Sequence, residues 1–578
     1  MKPGPRLLLA LALLCLPVAA QAGDSRYDRI FQSWDSARTP GCALGITRDG
    51  QLQYARGYGS ANLELAAAIT PRTVFDIGSV SKQFTAMSIV LLAQQGKLSL
   101  DDDVHRFIPE LPGYGSALRL RDLLHHQSGL ASYTDLFDLA GVPEADLTAD
   151  QDALALVARQ TALDFPPGRQ FRYSDTNYFL LALVVRRASG LGLREFARRH
   201  IVAPLGMRDT HFHDDHAELV PRRATGYAPV PGGGYAIDMS NFEELGDGSV
   251  FTTVEDLARW LRNFEAPQVG GPQAVALLRE PGVRTDGSRA PYAMGLVIDQ
   301  YRGHDRVQHT GEWVGYRAAL LHFPRDRTGV ILLCNSVGAL DVLAQAERAA
   351  DVALGLPPQP APGLPGAALV RRLAGRYWDP RTLGFLDFVE RSGALGLDSG
   401  DGDASALRYQ GAGVFDSGAS TTRFAFDVSS EPVRVTYQSD DGDAVQMLRV
   451  EDAAVAGADR LDAFAGTYYS PELGVSWAIE LREGRLVRRQ WLLPDQILRP
   501  VLPDTFTGDL SEGRYTLQFR RDATGGVTGF AVATTMASAR AFQRCEAVRA
   551  GDAAGPLGMA CRLGGPALRP AQGPGAKE

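Results

Sequence analysis

Ser79, Val80, Ser81 and Lys82 set a hydroxyl and an amine three residues apart. A serine hydroxyl is a weak nucleophile until a neighbouring base takes its proton. On a helical turn, positions i and i+3 share a face, so Lys82 can reach the Ser79 oxygen. Lysine is scarce here: of 59 Lys+Arg, only Lys2, Lys82, Lys97 and Lys577 are lysines. Arginine stays charged in a protein, whereas a buried lysine can lose its proton and act as a base. Ser79 is therefore a candidate nucleophile and Lys82 its candidate base. Two further stretches carry groups of the same kind. Tyr173, Ser174 and Asp175 offer a phenol as a proton relay and a carboxyl beside it. His309, Thr310, Gly311 and Glu312 end a strand-like run, where a glycine lets a substrate or an oxyanion donor come close.

These residues need elements to hold them. SVSKQFTAMSIVLLAQQG (79–96) reads as an amphipathic helix, with Phe84, Met87, Leu91 and Leu92 on one face and Gly96 as its stop. FRYSDTNYFLLALVVRRASG reads as a second helix, from Ser174–Asp175 to Gly190. CALGITRDG and VILLCNS read as strands, so residues 23–356 form an α/β unit. Residues 357–368 are proline-rich and read as a linker. Beyond them the pattern turns to short strands with Gly and Asp turns. LAGRYWDP from Leu373 recurs as FAGTYYSP from Phe464, 91 residues on, so two small barrel-like β units are expected over 369–452 and 460–548. The Gly-, Pro- and Ala-rich tail, 549–578, is expected to be mobile.

A chain of 578 residues is too long for one core. Its net charge of −8 argues against nucleic acid as a partner. The first 22 residues have a basic head, an apolar run from Leu7 to Leu16 and a small-residue site at Ala20-Gln21-Ala22, the form of a cleavable export signal. The run is too short to span a bilayer comfortably, so no stable membrane anchor is expected, and the mature chain would be periplasmic or secreted. Cys42, Cys334, Cys545 and Cys561 then remain, with three possible pairings. Thr210–His216 gathers three of the ten histidines, a packing that can bind metal. It reads as a surface loop, and serine–lysine chemistry needs neither metal nor other cofactor.

Together the three stretches resemble the serine β-lactamase and penicillin-binding-protein superfamily, on the branch of class C β-lactamases, D,D-carboxypeptidases, D-aminopeptidases and related esterases. Ser79-x-x-Lys82, Tyr173-Ser174-Asp175 and His309-Thr310-Gly311 match its motifs in order. LLHHQSGL from Leu123, PLGM from Pro204 and GDGSVFTTVEDLARW from Gly246 are similar to that branch's structural signatures. The resemblance implies an antiparallel sheet with helices on both faces, a helical subdomain and, as in D-aminopeptidases, two β domains after it. It implies an acyl-enzyme on Ser79, with Lys82 and Tyr173 moving the proton and His309 tuning them. Asp175, Thr310, Gly311 and Glu312 would line the substrate, and the backbone N–H groups of Ser79 and Glu312 would form the oxyanion hole. His126 corresponds to a structural position. Asp175 departs from the usual Asn, and a carboxylate cannot donate to a substrate amide. The implied substrates are D-amino-acid peptides, then small esters, then β-lactams. The implied alternative is a non-catalytic protein that binds penicillin or peptidoglycan fragments. The sequence leaves the oligomeric state open.

Overall fold

The computed structural model describes residues 25–545, apart from 338–340, 359–362, 399–403, 418–421, 440–441, 451–460, 491–492 and 511–512. The export signal, Cys561 and the expected mobile tail lie outside these.

Strand β1 (Cys42–Arg48) and β2 (Gln51–Tyr58) open a six-stranded sheet that β3 (Val297–Tyr301), β4 (His304–Trp313), β5 (Tyr316–Phe323) and β6 (Thr328–Cys334) complete. The order is β3-β4-β5-β6-β1-β2, antiparallel throughout. Alternate residues serve two cores, as a two-faced sheet requires. Leu44, Ile46, Leu321, Val330 and Leu332 pack with Phe31 of the N-terminal helix Ser25–Phe31 and with the helix Val342–Leu354. Ala43, Leu320, Ile331 and Leu333 face the larger core, which holds helices α1 (Lys82–Gln94), α2 (Tyr133–Ala140), α3 (Asp175–Ser189) and α4 (Val254–Glu265). Gly45 lets α4 close on the sheet: a Cβ there would come 2.4 Å from Val254 Cγ1.

Two expectations about helices need correction. Ser79 lies not in α1 but in a 3₁₀ turn, Gly78–Ser81, that leads into it. Helix α1 is also not amphipathic: every residue from Lys82 to Leu92 is buried. It packs against α3 and against the helices Leu193–Ala197 and Gly271–Leu278, so no face is left for water. The turn before α1 still preserves the i,i+3 adjacency. Helix α3 ends at Gly190, in the left-handed conformation, as the sequence suggests.

After the α/β unit, a helix (Ala367–Leu373) occupies the end of the expected linker and buries Val370 and Leu373 against a nine-stranded antiparallel sheet. The second repeat folds as a closed eight-stranded barrel from Gly466–Ser470 to Arg540–Arg544. The repeated segment makes the same turn in both units. Tyr377 Oη donates to Leu373 O at 3.0 Å, and Tyr468 Oη donates to Phe464 O at 2.7 Å. The barrel's interior, built on Trp477, Phe530 and Phe542, is continuous with the core of the α/β unit. Trp477 Nε1 and Gln490 Nε2 both donate to Leu139 O in α2, each at 3.2 Å.

Candidate active site

The nucleophile turn is held from behind. Asp76 Oδ1 accepts from Gly78 N at 2.8 Å, and Ser81 Oγ accepts from Val250 N at 3.0 Å. Burial pushes the Asp76 carboxyl up to about 7. From the front, the edge of β4 presses on the turn. A Cβ on Gly311 would lie 1.9 Å from Ile77 O and 3.2 Å from Ser79 N, and one on Gly78 would lie 2.9 Å from Glu312 N. Two glycines thus let the edge of β4 close on the backbone of Gly78 and Ser79, so that the N–H groups of Ser79 and Glu312 lie near one another.

Lys82 is wholly buried. Its Nζ lies 3.0 Å from Ser79 Oγ, 2.7 Å from Asp175 Oδ1 and 2.7 Å from Asp247 O. A carboxylate and a carbonyl can only accept, so they take two N–H bonds. Ser79 Oγ is the third partner and a hydroxyl, which can accept from Nζ or donate to it, so the amine stands where a proton can pass between the two. Asp175 is itself fixed: its Oδ2 accepts from Ser132 Oγ at 3.1 Å and Thr134 Oγ1 at 3.3 Å. The Tyr173 ring centroid is 4.8 Å from Nζ, so the expected relay phenol shares the pocket of the pair.

His309 is buried one layer back. Its Nδ1 lies 2.5 Å from Thr310 O, which only accepts, so Nδ1 carries the proton. Nε2 then accepts from Tyr292 Oη at 2.9 Å. Burial pushes the imidazole down to about 4, so it is neutral at ordinary pH. His126 packs against the rings of Tyr173 (4.2 Å) and Tyr292 (4.6 Å), with Nδ1 accepting from Ser174 N at 3.2 Å. Thr310 contributes its backbone to this network, and Glu312 reaches the mouth with its side chain largely exposed.

Several residues of the site are not singled out by sequence reasoning. Asp247 supplies the carbonyl for Lys82, and its carboxyl accepts from Tyr133 Oη at 3.1 Å. Burial, and then the nearby Asp175 charge, push that carboxyl up to about 7. Its signal was present in Gly246-Asp247-Gly248, read only as a structural signature. Ser132 and Thr134 carried no pattern of their own.

Residues 28–354, over half of the chain, match the family described as Beta-lactamase. The chain belongs to the beta-lactamase family. A D-aminopeptidase of Gluconobacter oxydans (strain 621H) is 26% identical to it over 536 residues, covering 87% of this chain and 96% of that protein. A D-aminopeptidase of Brucella ovis is 28% identical, over the same shares of the two chains. The octameric penicillin-binding protein homologue from Pyrococcus abyssi has the same fold, with a TM-score of 0.53 at 21% identity, covering 85% of this chain and 99% of that one.

In this beta-lactamase-family serine hydrolase the groove beside Ser79 is acidic. Asp135, Asp138, Glu144, Asp175, Glu244, Asp247 and Glu312 line it, with no lysine or arginine among its lining residues. Phe137, Val142, Phe242, Trp313 and Met536 supply its apolar surface. Met536 comes from the barrel. Its backbone N donates to Asp135 Oδ2 at 3.2 Å, its carbonyl accepts from Ser132 N at 3.1 Å, and Thr534 Oγ1 also donates to Asp135. The barrel thus forms one wall of the groove.

Proposed function

We propose that this serine hydrolase is an exported aminopeptidase that removes D-residues from the amino end of short peptides through an acyl-enzyme on Ser79. One observation carries the reading: a groove lined by seven carboxyl side chains, with no lysine or arginine in its lining, lies beside Ser79. A free α-ammonium on the substrate answers that charge, and the aromatic wall answers its side chain. Lys82 pairs with Asp175 and Arg317 lies 3.6 Å from Glu312, which leaves Asp135, Glu244 and Asp247 as the buried carboxyls that such a ligand would meet. The D-preference is supported by the two D-aminopeptidase relatives.

In this mechanism Lys82 takes the Ser79 proton as Oγ attacks the substrate carbonyl. The backbone N–H groups of Ser79 and Glu312 receive the developing oxyanion. Tyr173 passes the proton to the leaving amine, and water then releases the acyl group from Ser79. His309, neutral and held by Tyr292, keeps β4 in register without adding charge to the base. Export is supported by the leader and by the Cys42–Cys334 disulfide, a bond that persists in oxidising compartments.

The test is release of p-nitroaniline from D-alanine p-nitroanilide, its N-acetyl derivative and the L-isomer. The reading requires the free-amine D-substrate to be preferred and Ser79→Ala to be inactive but folded. Equal rates on the N-acetyl derivative would overturn the ammonium reading and favour ester or β-lactam substrates. Inertness to all acyl donors would favour a binding protein.

A further inference from the structure

The histidine-rich stretch is a surface loop only in part: Asp214, Asp215 and His216 are exposed, but its first half is not. Thr210, Phe212 and His213 are buried, and His211–Phe212 pairs as a short strand with Val250 and Phe251. An extended backbone sends residues i and i+2 to the same side. His211 Nε2 and His213 Nδ1 accordingly face each other at 3.3 Å, and Glu218 Oε2 lies 3.9 Å and 3.7 Å from them. We propose that His211, His213 and Glu218 form a Zn²⁺ site outside the active site.

The distances carry this. Tetrahedral Zn²⁺ with bonds of about 2.0–2.1 Å holds neighbouring ligand atoms about 3.3–3.4 Å apart. The two imidazole nitrogens already stand at that separation. The carboxylate oxygen needs to move only a few tenths of an ångström. The His213 ring is fixed by a perpendicular contact with Phe251, 4.4 Å between centroids, so little ordering remains for the metal to impose. Arg194 donates to Glu218 Oε2 at 2.7 Å and Oε1 at 2.8 Å, and to Asp214 Oδ1 at 2.6 Å. A carboxylate oxygen has lone pairs for both an N–H donor and a metal, so Arg194 orients the ligand rather than replacing the ion. Arg194, Asp214 and Glu218 together leave one negative charge beside the two imidazoles, with the Arg223 guanidinium also acting on His213. Two imidazoles and one carboxylate suit zinc rather than magnesium or calcium, and leave the fourth position to water.

The site has a route to the groove. His213 N donates to Ser249 O at 2.8 Å, and the adjoining strand supplies Val250 N to Ser81 Oγ at 3.0 Å. Ser249 and Asp247 line the groove. The ion would fasten residues 211–218 to the strand behind the nucleophile turn. It is a brace and takes no part in acyl transfer.

The full-length protein, stripped with a chelator, is titrated with ZnCl₂ by calorimetry, and with Co²⁺ for the visible bands of tetrahedral coordination. One equivalent of Zn²⁺ is expected to bind and raise Tm. His211→Ala and Glu218→Gln, both at partly exposed positions, should each weaken binding at least tenfold. Circular dichroism of the metal-free variants checks their fold. Absence of one-equivalent binding, or binding that survives both substitutions, overturns the site. Loss of binding in His216→Ala alone also overturns it, assigning the ion to the exposed neighbouring group Asp215, His216 and Glu243. None of these readouts depends on the proposed substrate.

Discussion

At the scale of single residues, the site turns on what Lys82 can give and accept. An arginine at 82 would keep the charge opposite Asp175 but could not take a proton. Lys82→Arg is therefore expected to lower kcat by about a thousandfold with the far-ultraviolet spectrum unchanged. Retained turnover would remove Lys82 as the base. Asp175 holds Lys82 through Oδ1, an atom that asparagine also has, while the asparagine Nδ2 would add a donor. Asp175→Asn is expected to raise the rate of acylation by a penicillin severalfold, read as adduct mass on intact protein. An unchanged or slower rate counts against this account of the departure from asparagine. That Ser79, Lys82, Tyr173 and His309 belong to one cluster was legible from their types and order, and the structure brings them together. Asp247 was not, because it serves Lys82 through a backbone carbonyl, a group every residue has.

At the scale of elements, the turn Gly78–Ser81 is squeezed between the strand Val250–Thr252 and the edge of β4. Gly311→Ala would place a methyl against Ile77 O. It is expected to reduce kcat/KM by about a hundredfold or more, the scale of losing an oxyanion donor, with a lowered Tm. Behind the turn, Asp76 is held at about 7, above the ordinary carboxylate value. The folded chain thus keeps a proton that the unfolded chain releases above about pH 4. Stability from this group falls by about 1.4 kcal/mol per unit as pH rises from about 4 to about 7, and is flat beyond. Asp76→Asn keeps an acceptor for Gly78 N and should remove that slope, bringing its greatest Tm advantage over wild type at pH 8. Helix α1 was placed by its pattern, but its full burial was hidden. A sequence window cannot register that α3 and two shorter helices from distant sequence cover its remaining sides.

At the scale of the whole molecule, the barrel helps to wall the groove beside Ser79 through Met536. Met536→Gly is expected to raise hydrolysis of N-acetylated or longer substrates severalfold relative to the free-amine substrate, measured as a ratio of kcat/KM values. An unchanged ratio would mean the barrel does not restrict access. The repeat at Leu373 and Phe464 announced two β units. It could not announce that the second would share a core with the catalytic unit, because that contact joins Trp477 to Leu139 across distant sequence. The disulfide makes a related point about time. Cys42 lies in β1 and Cys334 in β6, the strand that flanks it, and the bond spans 292 residues of sequence. As the chain leaves the ribosome, β1 has β2 beside it but no partner on its other edge until nearly three hundred further residues have been made. For that interval an apolar edge strand stands open to other chains. The newborn protein thus meets its greatest hazard before its nucleophile has a floor to stand on.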